Sequence, residues 1–537
     1  MDFHRFFSAL RKDGGVRSFA SKYSGELSVG ALLLLSYILL HRGTVPLFLL
    51  LVVLSGVSAI LWCDWKARIW YIVCLGCVTC FERHFILHYG DSFRAIGHQA
   101  LITVHITDAE EIRSYISGIR IVEIIQPFLF AAGAFAQRIA KSPALLSRKR
   151  PAGLMKFVAF LPLLAAAVFQ TAAPVVEYFD NWGEHKDFYL ARHKFTFEAV
   201  DRDPESELFV LLVIGESHRK DEFDRLVLGE HGYAPHLRRA GAEGRVWEFD
   251  DLISHYQQTW FSVFTLLSRR GEDGRNVFWP EKGLFSLFRE AGFRTWYVTY
   301  QKRTPEKIGY NYVVNEAETH VNHREFSGTK FDHGMLRPIG EIIAAPGKKK
   351  FAVVKMSGVH FHYTSRYPRE YRLFKPCYES RIGSMSAYRV EDRELLVNTY
   401  RNAMAFSATF FDELAKMIDG CRVPAVMIFL SDHGIINYDD GENAFFGAAR
   451  SNFHIPCFIM GNGAFRARLP EERAAALRKN RSLPATNSYI FDTAASLSGL
   501  SWRGYRDNMD LSSDNARPAR DRMVWNWNTR LRYDELP

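Results

Sequence analysis

Cysteine is scarce in this chain, with seven residues among 537. Four of the seven lie in or beside long apolar runs: Cys63, Cys74, Cys77 and Cys80. Within an apolar helix cysteine behaves as a small hydrophobic residue, so the Cys-x-x-Cys-x-x-Cys spacing is not expected to bind a metal. The other three are Cys377, Cys421 and Cys457, an odd number that permits one disulfide at most without indicating the pair.

The chain has no internal repeat and no low-complexity segment. It also shows no cleavable signal peptide, because the first apolar run follows a long basic stretch and is expected to stay as an anchor. The mean hydropathy of -0.13 resembles that of a soluble protein, but this average conceals a division. Long apolar runs lie before about residue 176, and the pattern of a globular enzyme follows them.

Five of the N-terminal segments are apolar enough to cross a bilayer, which takes about 20 residues as a helix. They are Leu27–Leu40, which needs flanking residues to span, Val45–Trp62, Ile69–Leu87, Ile119–Ala136 and Leu154–Val176. A buried hairpin of soluble helices is the alternative, but five such runs in succession would need a very large core to cover them. We therefore expect five transmembrane helices.

The charge distribution orients these helices. Lysine and arginine cluster before the first run, between the second and third, and between the fourth and fifth. Positive loops stay on the cytoplasmic side, and all three clusters fall on one side of a five-span arrangement. An odd number of spans then places the C-terminal part of the chain outside the cytoplasm.

The resulting organisation is a transmembrane domain at 1–176, with an extracytoplasmic loop at about 88–118. A linker or interfacial segment at 177–207 follows, and then a globular domain at 208–537. The net charge of +9 could indicate a nucleic-acid partner, but the topology argues against one. A basic protein at an anionic membrane surface is the simpler interpretation.

Strand and helix patterns alternate in the globular part. The predicted strands are Phe209–Ile214, Thr295–Thr299, Phe351–Met356, Ala425–Leu430 and Cys457–Met460. The predicted helices are Trp260–Ser268, Leu284–Ala291, Leu396–Ile418 and Ile490–Leu497. Nearly continuous apolar strands alternating with helices indicate an α/β domain with a mainly parallel sheet covered on both faces. Ligands of such sheets gather beyond the carboxyl ends of the strands.

Two predicted strands end on polar residues. LFVLLVIG leads into Glu216, and AVMIFLS leads into Asp432 and His433. Glutamate, aspartate and histidine together suit Zn²⁺ and, less well, Mn²⁺. Each motif alone has an ordinary alternative, a helix cap, a salt bridge or a turn, but several charged groups at one sheet edge need compensation.

A nucleophile would complete a metal site of this kind. Thr259 stands just before an apolar helix with Phe261, Phe264 and Leu267 on one face. A helix N-terminus favours an anion, and a metal would lower the pKa of the alcohol further. The alternative is a plain N-cap threonine. Further along, the strand FAVVKM enters SGVHFHYTSRYP, where either histidine could hold a phosphate oxygen, bind a second metal or act as a general acid.

In this order, the motifs resemble those of the bacterial phosphoethanolamine transferases, membrane-anchored members of the alkaline phosphatase and sulfatase superfamily. The resemblance covers nearly the whole chain, including the five spans. It is carried by GHQALITVHITDAEEIRSYI, GESHR, LFREAGFRTWYVTYQ, HFHYTSRYP, NTYRNAMAFSATFFDELAKMI, FLSDHG and FHIPCFI. It implies a sulfatase-like domain in the periplasm, held at the bacterial inner membrane by the N-terminal helices.

The resemblance also implies roles for individual residues. Glu216, Asp432 and His433 match the family's zinc ligands. Thr259 matches the nucleophile, which also binds zinc, and His360 matches a catalytic histidine of the substrate or second-metal site. Arg219 and Gln301 match motif positions of less defined role, and together with His362 and His454 they are assigned to substrate binding.

The chain departs from the family pattern in two places. Ile435 follows Asp-His-Gly where an acid is usual, and Gly447-Ala448 stands where a Gly-His pair is usual. A complete second metal site is therefore not expected. Three exported cysteines also cannot form the several disulfides of the lipid A–modifying branch, which favours modification of core sugars or a glycan.

The function implied is the transfer of phosphoethanolamine from phosphatidylethanolamine to a cell-envelope acceptor through a phosphothreonine at a zinc centre. The acceptor could be lipopolysaccharide core, lipid A or a periplasmic glycan. Two alternatives stay open: a phosphoglycerol transferase of the lipoteichoic-acid-synthase type, and a catalytically inactive envelope sensor or scaffold. A hydrolase is less expected because it would not need the anchor. A monomer is expected, with the membrane as its partner and no nucleic acid.

Overall fold

The computed structural model describes residues 191–271, 280–300, 310–322, 330–379, 388–527 and 529–537. All of them belong to one compact unit of the chain. The five predicted spans and the loop at 88–118 lie outside these described residues. Within the described ranges, no helix is both long and apolar enough to cross a bilayer.

The secondary structure alternates as the sequence predicts. The strands are β1 (Val200–Asp201), β2 (Leu208–Gly215), β3 (Val246–Phe249), β4 (Leu252–Ile253), β5 (Arg294–Thr299), β6 (Thr319–Asn322), β7 (Lys349–Lys355), β8 (Ala425–Ser431), β9 (Cys457–Gly461), β10 (Ala485–Thr486), β11 (Leu500–Ser501), β12 (Met523–Asn526) and β13 (Thr529–Arg532). The α-helices are α1 (Lys220–Phe223), α2 (Pro235–Ala242), α3 (Thr259–Leu267), α4 (Leu284–Glu290), α5 (Asn311–Val314), α6 (Leu336–Ala344), α7 (Arg393–Asp419), α8 (Gly463–Arg468), α9 (Glu471–Lys479) and α10 (Tyr489–Leu497).

Seven strands form the central sheet in the order β3-β9-β8-β2-β7-β5-β6. Strand β9 runs antiparallel to both of its neighbours, and the other pairings are parallel. The predicted α/β fold with a mainly parallel sheet is therefore confirmed, with the refinement that the sheet is mixed. The short strands β3 and β6 were not predicted, because VWEF and THVN are partly exposed and lack a continuous apolar run.

Strand β2 lies in the middle of the sheet and is buried on both faces. Its residues alternate between two hydrophobic cores: Leu208, Val210, Leu212 and Ile214 enter one, and Phe209, Leu211 and Val213 enter the other. Helices α3, α4 and α10 supply apolar side chains to the first core, and α2, α6 and α7 to the second. Burial on both faces explains why the strand has no polar alternation.

The end of the segment predicted as a linker packs against the globular unit. Phe197 is fully buried in the first core, and β1 pairs with β11 through Val200 and Ser501. Arg192 also forms an ion pair with Glu316. Residues 192–201 are thus fixed to the globular unit, while the first part of the segment, 177–190, lies outside the described residues.

The three cysteines of the described chain are free thiols. Cys457 lies within β9 and is buried, and burial raises the pKa of its thiol. The one disulfide that the sequence permitted is absent among these residues.

Candidate metal centre

The carboxyl ends of β2 and β8 meet at one edge of the sheet. Gly215 of β2 pairs with Ser431 of β8, so the residues that follow each strand emerge side by side. The three residues are Glu216, Asp432 and His433, and one ligand atom from each lies within 4.8 Å of the others. All three side chains are buried. The structure therefore brings together the three ligand residues that the sequence indicates.

Thr259 joins this group from α3, of which it is the first residue. Its hydroxyl donates a hydrogen bond to Glu216 Oε2 at 3.0 Å and lies 3.3 Å from His433 Nε2. The N-cap of the helix is Gln258, so a plain capping role does not account for the position of Thr259. Glu216, Thr259, Asp432 and His433 are called the site cluster below.

The ring of His433 has a defined orientation. Its Nδ1 lies 2.7 Å from the carbonyl oxygen of Gly434, which accepts the Nδ1–H bond. The other nitrogen, Nε2, faces Glu216 Oε1 at 3.3 Å. Burial lowers the pKa of His433, but the carboxylates of Asp432 and Glu216 outweigh it and the pKa lies above its ordinary value. A bound cation would favour the neutral form with a free lone pair on Nε2.

A lysine lies among the carboxylates. Lys355, the last residue of β7, is fully buried, and its Nζ donates to Glu216 Oε2 at 2.7 Å and lies 3.1 Å from Asp432 Oδ2. Burial alone would raise the pKa of Glu216, but the Lys355 ammonium and His433 outweigh it and hold that pKa well below its usual value. Glu216 is therefore ionised at neutral pH.

The donor set of the site cluster fits a divalent ion. Asp432 Oδ2 is fully buried and accepts no hydrogen bond among the described residues, and the Lys355 ammonium 3.1 Å away is its ion-pair partner. Two carboxylates, one imidazole nitrogen and the Thr259 hydroxyl together supply oxygen and nitrogen ligands of the kind that Zn²⁺ binds in groups of four. Mn²⁺ accepts the same atoms with less preference for nitrogen.

A strained turn places Glu216. Ser217, the next residue, has a φ of 60°, a left-handed backbone conformation that residues other than glycine seldom adopt. Tyr400 of α7 stabilises the turn, because its hydroxyl donates to the Ser217 carbonyl at 2.9 Å and accepts from the Arg219 N–H at 2.9 Å. The Ser217 N–H in turn donates to Asp432 Oδ1 at 3.1 Å.

Replacing Tyr400 by phenylalanine is expected to lower the free energy of unfolding by about 1–3 kcal/mol, since it leaves a buried N–H and a buried carbonyl without partners. Chemical denaturation of the purified protein measures this change. The matched control is Tyr378→Phe, whose hydroxyl has no hydrogen-bond partner among the described residues. Equal effects of the two substitutions would show that Tyr400 does not stabilise the turn.

The loop after β7 packs against the backbone of Glu216. Gly358 has a φ of 47°, and a Cβ at this position would lie 2.7 Å from the Glu216 carbonyl oxygen. Buried Asp332 holds the loop by accepting hydrogen bonds from the N–H groups of Ser357 and Gly358 at 2.9 and 2.8 Å. The loop that carries His360 is thereby fixed close to the site cluster.

The two loop histidines differ in surroundings. His360 is partly buried, its Nδ1 lies 2.9 Å from the Phe361 carbonyl oxygen, and its own carbonyl accepts from Arg366 at 3.1 Å. Burial is the main reason that the pKa of His360 falls to about 4. At neutral pH its imidazole is uncharged, so it can accept a hydrogen bond or a cation more readily than it can release a proton. His362 is buried next to Phe361.

Arg219 and His454, also assigned to substrate binding, contact other parts of the chain. The Arg219 guanidinium pairs with Asp221 at 2.6 Å and Asp439 at 2.7 Å, and donates to the Ile436 carbonyl at 3.0 Å. Because Ile436 and Asp439 belong to the loop after β8, Arg219 fixes this loop to the turn after β2. His454 Nε2 lies 2.9 Å from the carbonyl oxygen of Asp250, so its contact is with the segment before β4. Gln301 lies outside the described residues.

Two residues of this region were missed in the sequence. Lys355 has a visible signal, a charged residue inside the apolar run Phe351–Met356, which is unusual in a strand buried on both faces. Tyr400 has none, because a tyrosine within a long amphipathic helix predicts only a packing role.

A sulfatase family model matches residues 209–500, a stretch that contains the whole site cluster. The chain belongs to the sulfatase family. Among curated relatives, the phosphoethanolamine transferase EptC of Escherichia coli K12 is 22% identical over 345 residues, covering 61% of this chain and 57% of the relative. The EptA enzyme of Helicobacter pylori is 25% identical over 276 residues, covering 49% of each. The chain thus matches about half or a little more of the length of these relatives.

Solved structures share the fold. The C-terminal periplasmic domain of Escherichia coli EptC, crystallised as a complex with Zn, superposes with a TM-score of 0.55 at 20% identity, covering 64% of this chain and 96% of that domain. The integral membrane protein EptA of Neisseria meningitidis gives a TM-score of 0.60 at 18% identity, covering 92% of this chain and 98% of that one. These structures confirm the fold, and the curated relatives confirm the resemblance to phosphoethanolamine transferases that the motifs indicated.

Proposed function

We propose that this sulfatase-family protein is a phosphoethanolamine transferase that moves phosphoethanolamine from phosphatidylethanolamine to an acceptor in the bacterial envelope. The observation that carries the proposal is the position of the Thr259 hydroxyl, 3.0 Å from Glu216 Oε2 and 3.3 Å from His433 Nε2. A nucleophile inside a group of metal ligands is suited to attack a phosphodiester. The curated relatives, which are phosphoethanolamine transferases, support the same reaction.

The reaction has two steps. In the first, Thr259 Oγ forms a bond to phosphorus, the bond between phosphorus and the diacylglycerol oxygen breaks, and that oxygen gains the proton that Thr259 loses. In the second, an acceptor oxygen forms a bond to phosphorus, the bond between phosphorus and Thr259 Oγ breaks, and the proton that the acceptor loses restores the Thr259 hydroxyl. The hydrogen bond to Glu216 directs the hydroxyl proton away from the incoming phosphorus.

Zinc is the proposed ion, with Glu216, Asp432, His433 and Thr259 as its ligands. When bound, it would neutralise charge on the phosphoryl oxygens and lower the pKa of the hydroxyl. The periplasmic domain of Escherichia coli EptC forms a complex with Zn, which supports the choice. His360 is proposed to contact the phosphoryl group or the departing oxygen as a neutral imidazole.

The proposed setting is the bacterial inner membrane, with five N-terminal spans and the described unit in the periplasm. A donor lipid never leaves the bilayer, so an anchor keeps the site near its substrate. The Neisseria meningitidis protein is an integral membrane protein, in line with this arrangement. The acceptor is proposed to be lipopolysaccharide core, lipid A or a periplasmic glycan, and the enzyme to act as a monomer.

A comparison of donor lipids tests the proposal. Zinc-loaded full-length protein is incubated with vesicles containing either phosphatidylethanolamine or phosphatidylglycerol, each with labelled acyl chains. We expect diacylglycerol release from phosphatidylethanolamine to be at least about tenfold faster, a preference that needs only about 1.4 kcal/mol of transition-state binding. Faster release from phosphatidylglycerol would indicate a phosphoglycerol transferase, and no release from either lipid would contradict transferase activity.

A further inference from the structure

Lys355 occupies an unusual place for a lysine. It is fully buried at the carboxyl end of β7, where it pairs in register with Ile214 of the central strand β2. The two other lysines of this strand, Lys349 and Lys350, lie at its opposite end. An ammonium group is almost never fully buried unless it is paired. The partners of Lys355 therefore indicate its role.

Those partners are two proposed metal ligands. Lys355 Nζ donates to Glu216 Oε2 at 2.7 Å and to the Gly215 carbonyl at 3.2 Å, and lies 3.1 Å from Asp432 Oδ2. Glu216 Oε2 is also the atom that accepts the Thr259 hydroxyl. The ammonium therefore bridges the two carboxylates as a metal cation would, beside the nucleophile.

The sum of the buried charges also indicates that Lys355 takes the place of a second metal cation. Glu216 and Asp432 contribute two negative charges, and Lys355 contributes one positive charge. One divalent ion brings this buried group to a single positive charge, which matches the single negative charge of a phosphodiester. A second divalent ion would leave three positive charges in a site shielded from water, where unbalanced charge is strongly unfavourable.

We propose that Lys355 is the built-in second cation of the centre: it holds Glu216 and Asp432 in place before metal binds, and it limits the site to one divalent ion. This inference rests on the proposed function only in taking zinc as the ion. Lys355 is a positioning residue, because it acts through the two carboxylates. Its ammonium both stabilises the metal-free centre and repels the incoming ion.

The two effects predict opposite consequences of removing the charge. In Lys355→Met, a side chain of similar length without charge, two buried carboxylates lose their cation. The metal-free variant should therefore melt roughly 10 °C lower than the wild type. With the competing charge gone, the same variant should bind Zn²⁺ at least about tenfold more tightly, and zinc should restore most of the lost melting temperature.

The experiment uses full-length protein in detergent, stripped of metal with a chelator. Zinc affinity is measured by competition with a chromophoric chelator, and melting is followed with and without zinc. The matched control is Lys349→Met, since Lys349 is a buried lysine of the same strand that pairs with Asp201 at 2.8 Å. This control should also lower the melting temperature, but it should leave zinc affinity unchanged.

Equal or weaker zinc binding by folded Lys355→Met would overturn the proposal. If that variant does not fold, the number of zinc ions bound per chain is measured in the wild type and in Asp432→Asn. We expect the wild type to bind one zinc ion more than Asp432→Asn. A difference of two zinc ions would refute the proposal that Lys355 limits the site to one. None of these measurements needs a lipid. A protein that behaves as expected towards zinc but forms no phosphothreonine would contradict the proposed function alone.

Discussion

Thr259→Ala is expected to abolish phosphoethanolamine transfer, with diacylglycerol release from phosphatidylethanolamine falling at least about 10³-fold. The substitution removes the one hydroxyl that lies against both Glu216 Oε2 and His433 Nε2 among the described contacts. It leaves the four apolar residues of α3 in the first core untouched. The folded protein should therefore persist, with a free energy of unfolding within about 1 kcal/mol of the wild type.

Two further substitutions in the same helix sharpen this test. Thr259→Ser keeps a hydroxyl at the site and should retain measurable transfer. Thr265→Ala removes a hydroxyl that donates to the Ser262 carbonyl at 2.9 Å, outside the site cluster, and should leave transfer nearly unchanged. Transfer by Thr259→Ala at a rate near that of Thr265→Ala would exclude Thr259 as the nucleophile.

Glu216→Gln is expected to have the second largest effect, because Glu216 contacts Thr259, His433 and Lys355 together. Removing a residue that hydrogen-bonds to a metal ligand typically weakens metal binding about 10- to 100-fold. Removing the charge of a ligand itself should weaken metal binding more than this. We therefore expect zinc affinity to fall by more than about 100-fold and transfer to be lost with it. This direction is opposite to that of Lys355→Met.

The control for this substitution is Glu222→Gln. Glu222 is also a buried glutamate, but it pairs with Arg401 at 3.0 Å and with Arg225, outside the site cluster. Its replacement should affect stability and leave zinc binding intact. Wild-type zinc affinity in folded Glu216→Gln would remove Glu216 from the ligand set.

The sequence predicted the parts of this molecule that depend on short stretches of chain. A strand buried on both faces produces a nearly continuous apolar run, so β2, β5, β7, β8 and β9 could be predicted from the sequence. Glu216, Asp432 and His433 were visible because each follows such a run and the carboxyl ends of neighbouring strands share one edge. Thr259 needed the resemblance as well, since a threonine before a helix is ordinarily a cap.

The parts that were missed depend on side chains brought together from distant strands. The pairing of Lys355 with Glu216 and Asp432 requires β7, β2 and β8 to be neighbours, which no single segment encodes. The antiparallel direction of β9 is likewise a property of the chain path that its apolar pattern CFIMG does not report. The five membrane spans remain a prediction of the sequence, with their residues outside the described part of the chain.

Intact-mass analysis of zinc-loaded wild-type protein after incubation with phosphatidylethanolamine tests the central claim most directly. We expect an added mass of one phosphoethanolamine group, located on Thr259 by peptide mapping and lost when an acceptor is supplied. Zinc-loaded protein that gains no such mass, or that carries the group on a residue other than Thr259, would contradict the proposed mechanism.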